Sequence, residues 1–400
     1  MGISAIIRGF TSRRALTFSE NHGYIYAIGE LYYLYIFVIL LLKIALALIK
    51  GYPNTMANTN ISRNITRRSF GALALGSFGA LALAACGASN SSSTSGASAS
   101  TSSKPAPSAL PDGMGTTVAD GVFPRTVKHF KGETTIESEP KKIVVISTGQ
   151  IDDVLALGVV PVGVADAKEA DGVPSYLKTK YADKASELDA ITKVGKRTAP
   201  SIEAITNLKP DLILINSTAK DEAIYESLGK VAPVVVTEGQ GLNWKQDFLL
   251  IAHAMGAVEK AEQLLKDYEA SAKKLGEMAN AKGKTFSFLY ASADRTRIFA
   301  KSSFTGSITT DAGLDRPASQ QVAKTSVDIS AEQLDQADGD YLFYAVQSGD
   351  ESKLTGEALW PTLKAVTENH AYSVDADAFY MNAGITAAQV VVDKIAEVLK

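Results

Sequence analysis

The stretch Pro200-Ser201-Ile202-Glu203-Ala204-Ile205-Thr206-Asn207-Leu208-Lys209-Pro210-Asp211-Leu212-Ile213-Leu214 decides the fold, because the chain uses its pattern twice. Its counterpart is Ile329-Ser330-Ala331-Glu332-Gln333-Leu334-Asp335-Gln336-Ala337-Asp338-Gly339-Asp340-Tyr341-Leu342-Phe343. In each, a serine suited to cap a helix stands two residues before a glutamate. A short helix and a turn follow, and an aspartate opens an apolar strand. Glu203 and Glu332 lie 129 residues apart, and so do Asp211 and Asp340. A unit repeated with its spacing intact predicts two lobes of matching design.

Working outward, strand and helix patterns alternate on both sides of this unit. The β-branched run Lys142–Ser147 suits a buried parallel strand, with further strands at Val162–Ala165, Asp211–Ile215 and Val234–Val236. A helix is expected at Asp152–Leu157, stopped by Gly158. Ala261, Leu264, Leu265, Tyr268, Ala272 and Leu275 recur at helical spacing with Glu and Lys between them, which predicts one long amphipathic helix over Val258–Asn280. Strands then resume at Thr285–Tyr290, Arg297–Ala300, Tyr341–Val346 and Ala371–Val374, before a closing helix from Thr386 to Leu399. The expected fold is therefore α/β: two Rossmann-like lobes with mostly parallel sheets, joined by one long α-helix. The N-terminal lobe covers residues 122–245, the connecting region 246–282 and the C-terminal lobe 283–400.

The first 121 residues follow different rules. Leu31–Ile49 is an apolar run broken only by Lys43, long enough to span a bilayer. A second apolar stretch, Phe70–Ala85, follows Arg63 and Thr66-Arg67-Arg68-Ser69, as the h-region of an export signal follows its basic flank. The paired arginines resemble a twin-arginine signal; an ordinary Sec signal is the alternative. Leu83-Ala84-Ala85-Cys86 resembles the bacterial lipobox, which implies diacylation and cleavage at Cys86, the only cysteine in the chain. Counted from Met56, the signal (56–85) has a normal length, so residues 1–55 read as an upstream extension from a mis-set start codon. A real extra membrane helix at 31–49 is the alternative.

Nine of the fifteen residues from Ser89 to Ser103 are serine, and prolines and Gly113 follow. Residues 87–121 are thus expected to form a disordered Ser/Pro-rich tether between a lipid anchor and a folded body. The whole chain carries net charge −3. Removing residues 1–85 takes away eight basic and two acidic residues and leaves −9. Such a balance argues against a nucleic-acid binder. A single cysteine excludes an intramolecular disulfide framework and any Cys-rich metal site.

A lipobox, a serine tether, two α/β lobes and one long connecting helix resemble the substrate-binding lipoproteins of ABC importers. Val194-Gly195-Lys196-Arg197-Thr198-Ala199-Pro200-Ser201-Ile202-Glu203, with Leu208-Lys209-Pro210-Asp211-Leu212-Ile213, is similar to the ferric-siderophore and cobalamin branch of that family. The resemblance covers residues 135–400 and implies a ligand cleft between the lobes. It implies a monomeric receptor, anchored by Cys86 on the extracytoplasmic face of the cell membrane, that delivers a ferric siderophore to permease subunits with a cytoplasmic ATPase. Cobalamin or haem is the alternative ligand, because no residue here excludes a flat macrocycle.

The resemblance also assigns Glu203 and Glu332 to docking on permease arginines. Taken alone, each is equally a first-turn glutamate complementing a helix dipole. Arg197 matches the position from which hydroxamate binders of the family contact ligand oxygens, and a guanidinium fork suits such a face. Arg295 or Arg297 across the cleft would complete a cationic clamp, or remain a solvated arginine; Arg316 is a weaker candidate. Trp244 suits a flat ligand wall or hinge packing. Thr148 and Gln150 end the first strand, and Tyr344 holds a similar place in the second lobe.

An enzyme is not expected. There is no Gly-x-Ser-x-Gly elbow and no phosphate-binding Gly-x-x-x-x-Gly-Lys loop, and Trp244 stands where a dinucleotide fingerprint needs its third glycine. Asp152 and Asp153 are adjacent on a helix and diverge, so they read as caps rather than as a catalytic pair. Beyond residue 86 the histidines are His129, His253 and His370, without ligand spacing. No metal site and no cofactor are expected, and iron should arrive already chelated.

Overall fold

The computed structural model describes residues 106–167, 172–219, 221–347 and 349–400. The apolar run 31–49, the signal 56–85 and Cys86 lie outside the described residues. Among the described residues, no helix is long and apolar enough to cross a membrane.

A hairpin of β1 (Arg125–His129) and β2 (Gly132–Ile136) opens the fold. The N-terminal lobe is then built on β3 (Ile143–Val145), β4 (Gly163–Asp166), β5 (Thr192–Lys196), β6 (Ala199–Pro200), β7 (Leu212–Asn216) and β8 (Val234–Thr237). Their order is β6-β5-β4-β3-β7-β8, and only the β5–β6 pair is antiparallel. Every residue of β3 and β7 is buried, as continuous apolar runs covered on both faces must be. Helices α1 (Gln150–Ala156), α2 (Ser175–Lys180), α3 (Ile202–Leu208) and α4 (Glu222–Gly229) are among those that connect these strands.

The C-terminal sheet has the order β11-β10-β9-β12-β13. It comprises β9 (Phe286–Ala291), β10 (Thr296–Phe299), β11 (Ser326–Ile329), β12 (Tyr341–Val346) and β13 (Ala371–Ser373). Here β9, β12 and β13 run parallel, whereas β10 and β11 are antiparallel. The short link after β9 turns the chain straight back, which only an antiparallel neighbour allows.

The repeated motif has one structural meaning in both lobes. Asp211, just before β7, accepts hydrogen bonds from the backbone N–H groups of Lys141 and Lys142, just before β3. Asp340, just before β12, accepts from the N–H and hydroxyl of Thr285, just before β9. Each aspartate therefore ties together the starts of two neighbouring parallel strands. Partial burial pushes the Asp340 carboxyl up, but bonds from Lys364 and Thr285 overcome this and hold it well below the usual carboxylate range.

Two expectations change. The expected long helix is α6 (Val258–Gly276), four residues shorter than expected, and a further helix, α5 (Trp244–Met255), precedes it in the connecting region. Gly256 ends α5 in the left-handed region (φ 71°), which breaks the helix and redirects the chain. On α6 the buried residues Ala261, Leu265, Tyr268, Ala272 and Leu275 form the expected stripe. The last residue of α6 must be glycine, because α7 (Phe304–Asp311) ends against it: a Cβ at Gly276 would sit 1.8 Å from the Ala312 carbonyl oxygen.

The boundary of the tether also moves. Gly115 bridges Lys128, and the Thr116 N–H donates to Nδ1 of His253 at 3.2 Å. Buried Arg125 donates to the carbonyls of Ala119, Val122 and His253. Residues 115–122 are therefore part of the packed body, held by backbone groups that composition alone does not reveal.

One hydrophobic core runs through both lobes, from Ile143, Val145 and Leu212 through α5 and α6 to Phe286, Phe288 and Phe343. The closing helix α8 (Ile385–Val398) belongs to it through Ala388, Val391 and Ile395. Fully burying side chains of this size contributes roughly 1.5–3 kcal/mol each.

Candidate functional site

In the N-terminal sheet, β3 is followed in space by β4 on one side and β7 on the other, so the winding reverses at this point. Parallel sheets leave a crevice beyond the carboxyl ends of such strands. A cavity of about 320 Å³ lies there, lined on the N-terminal side by Thr148, Gln150, Arg197, Asn216 and Thr237. Phe299, Phe304, Thr325 and the segment Tyr380–Ala383 face it from the other lobe. A recess of about 380 Å³ adjoins it, sharing Arg197, Asn216 and Thr218 and reaching Ser147, Thr198 and Asp221.

The polar lining is held by its own bonds. Oε1 of Gln150 accepts from the Ser147 N–H at 3.2 Å, and its Nε2 donates to the Thr237 hydroxyl at 3.1 Å. Ser147 Oγ in turn accepts from the Asn216 N–H at 3.0 Å. Half-buried Arg197 sits in the tight turn between β5 and β6, and its N–H donates to the Asp166 carbonyl at 2.9 Å. Thr148 is half-buried.

Trp244 lines the cavity but is only 1% exposed. Its Nε1 donates to Ser307 Oγ at 3.0 Å, and its ring meets Tyr268 and Phe304 edge-on. One side chain thus packs between α6 and α7 and also borders the cavity.

The expected clamp of facing arginines is not assembled. Arg295 is exposed and pairs with Asp328 at 3.8 Å. Arg297 lies over the rings of Tyr290 and Phe299, 5.2 and 5.5 Å from their centroids, and is absent from the lining. Arg316 is buried, donating to the Phe299 carbonyl, Gln320 and Thr309, and burial lowers its pKa to about 9. Tyr344 faces away for a simple reason: adjacent residues on a strand point to opposite faces. Phe343 enters the shared core, so Tyr344 turns to the far side, against Trp360, with its hydroxyl on Glu351.

Three groups escaped the sequence reading. The π-helical turn Asp377–Met381 brings Tyr380 and Met381 to the cavity, and Asn382 and Ala383 follow. Two acids line the cavity as well: Asp153 from α1 and Asp247 from α5. The available signal for Asp247 was a carboxylate standing directly before the apolar run Phe248–Ala252. Asp247 accepts from the N–H groups of Glu238 and Gly239 at 2.9 and 2.8 Å, yet burial pushes its pKa to about 7. Burial, with Asp152 and Asp247 nearby, raises Asp153 well above the usual carboxylate range.

Asp152 is a cap, but for a distant helix. Its carboxylate accepts from the N–H groups of Thr386 and Ala387 at the start of α8, at 2.9 and 2.8 Å, and from the Tyr176 hydroxyl at 2.9 Å. With Gly149 N–H on Asn382 and the Lys245–Asp311 ion pair at 2.7 Å, it binds the lobes to each other beside the cavity. Glu203 and Glu332 lie elsewhere, exposed at the starts of α3 and of the 3-10 helix Ala331–Ala337. Ser201 and Ser330 cap those two helices. Among the described residues, no three His, Cys, Asp or Glu side chains converge to hold a metal ion.

The family model described as periplasmic binding protein matches residues 143–378. The chain belongs to the periplasmic binding protein family. This is the family expected from the segment 194–213. The chain is 33% identical over 291 residues to the probable siderophore-binding lipoprotein YfiY of Bacillus subtilis (strain 168), covering 68% of this chain and 86% of that protein. It is 28% identical over 290 residues to the Fe(3+)-citrate-binding protein YfmC of the same organism, covering 70% and 88%. Staphylococcus aureus SirA complexed with staphyloferrin B superposes with a TM-score of 0.57 at 27% identity, covering 68% of this periplasmic binding protein and 97% of that chain.

Proposed function

We propose that this periplasmic binding protein is a receptor that captures a ferric siderophore between its lobes and delivers it to an ABC importer. The observation that carries the proposal is the cavity at the carboxyl ends of β3, β7 and β8, with Arg197 on its wall, in a chain whose relatives are named for siderophore and ferric-citrate binding. The proposed event is capture and release, with no bond made or broken in the ligand. Hydroxyl and amide groups of Thr148, Gln150, Asn216 and Thr237 suit the oxygen-rich surface of a chelate, and Arg197 supplies a permanent cation. The iron stays in its chelator, which presents the recognised face.

Glu203 and Glu332, exposed on equivalent elements of the two lobes, are proposed to dock on permease arginines. Cys86 is proposed as the lipidated residue that keeps this monomeric receptor at the extracytoplasmic face of the membrane. Mass analysis of the mature N-terminus checks the latter: an unmodified Cys86 refutes it.

The test of the ligand is fluorescence titration against ferric hydroxamates, catecholates and citrates, with haem and cobalamin alongside. Saturable quenching by a ferric siderophore is expected, while quenching by haem or cobalamin alone would overturn the reading. Arg197→Ala should weaken the complex by roughly 1–3 kcal/mol, the cost of one lost charge-assisted contact. Unchanged affinity would remove Arg197 from the site.

A further inference from the structure

The two acids in the cavity are an anomaly for a site built only to hold an anion. Asp153 is 2% exposed and Asp247 8% exposed, and both line the same space. Oδ1 of Asp153 has no hydrogen-bond partner among the described residues. The nearest basic residue along α5, Lys245, is committed to Asp311. Among the described residues, Arg197 is the only lysine or arginine in the lining. A buried carboxyl oxygen without a partner costs stability, commonly a few kcal/mol, and Asn or Ser at the same place would avoid most of it. Such groups persist where a ligand completes them.

We propose that Asp153 and Asp247 form a cation subsite at the base of the cavity, which takes a protonated amino group carried by the ferric chelate. An ammonium group brings one positive charge and three N–H donors. It can donate to the bare Oδ1 of Asp153, and its single charge balances one ionised carboxylate while the other acid keeps its proton. The cargo is then a bipolar chelate, with an oxygen-rich face toward Arg197 and an amine at the acidic base. This rests on the siderophore reading and narrows it, since a highly anionic chelate without an amine would place its charge against two acids.

The experiment uses the detergent-solubilised full chain and matched pairs of ferric chelates from the hydroxamate, citrate-type and catecholate classes. Each pair is one chelate with a terminal primary amine and its N-acetyl derivative. The tightest-binding chelate is expected to carry the amine, and acetylation should weaken it by about ten-fold or more. Asp153→Asn should reduce that ratio to within about three-fold. The same substitution should raise the melting temperature of the ligand-free protein, whereas a purely structural Asp153 would lower it. Equal binding of the best pair, or a best ligand without any amine, overturns the subsite while leaving the receptor reading intact. No binding by any ferric chelate refutes the siderophore reading, and the subsite with it. The acetylation comparison needs no variant, so it stands even if Asp153→Asn fails to fold.

Discussion

Replacing Asp152 by alanine isolates what joins the two lobes. The side chain is fully buried and accepts three hydrogen bonds: two from backbone N–H groups opening α8 and one from the buried Tyr176 hydroxyl. Truncation leaves all three donors without a partner, each costing about 1–3 kcal/mol. Part of this is returned, because burial pushes the Asp152 pKa up, so the carboxyl itself is held at a cost. The net loss is then about 2–4 kcal/mol. For a body of this size roughly 2 °C of melting temperature accompanies each kcal/mol, so a fall of about 4–8 °C is expected by calorimetry. Tyr176→Phe removes one donor rather than the acceptor and should cost only about 1 kcal/mol. A shift below about 1 °C for Asp152→Ala would refute the reasoning, as would an equal effect of Tyr176→Phe. Ligand affinity should fall too, because α1 and the residues preceding α8 both border the cavity.

Two further outcomes follow from the same geometry. Burial raises Asp247 from 3.8 to about 7, so the folded state binds more protons than the unfolded one between these values, and this group lowers stability as pH rises through that window. The melting temperature of Asp247→Asn relative to the parent should therefore increase from pH 4 to pH 8; a constant difference would contradict the raised pKa. Glu203→Ala combined with Glu332→Ala should leave ligand affinity intact and abolish cellular uptake, since both side chains are exposed at the helix starts and outside the cavity lining. Lost affinity would end the docking assignment.

The ties between the lobes bear on how the receptor works. Asp152 on α8, Lys245 on Asp311 and Trp244 on Ser307 each join elements that flank the cavity, and one apolar core passes beneath them. Opening wide would break buried polar contacts and expose apolar surface together. Small closing motions, with side chains of the lining adjusting to the ligand, fit this arrangement.

Much was legible in the order of residues because its physical cause is local. Continuous apolar runs at 143–145, 212–216 and 341–346 could only be buried strands, and the stripe on α6 follows from spacing alone. The serine caps, the strand-opening aspartates and the family likeness of residues 194–213 are local patterns as well. The site was legible only where it sits at a strand end, as Thr148 and Gln150 do, or in the matched motif, as Arg197 does. What the folded chain alone decided depends on direction across long separations. Whether an arginine reaches the cavity is set by the face its strand presents, which sends Arg297 onto aromatic rings and Tyr344 to the far side of its sheet. Asp152 and Asp153 are neighbours in sequence, but one caps a helix more than 230 residues away and the other keeps its Oδ1 without a hydrogen-bond partner among the described residues. Asp247 joins it from another helix. Composition presents an acidic receptor with scattered arginines; only the packing of α1 against α5 and α8 brings two of its acids to the cavity.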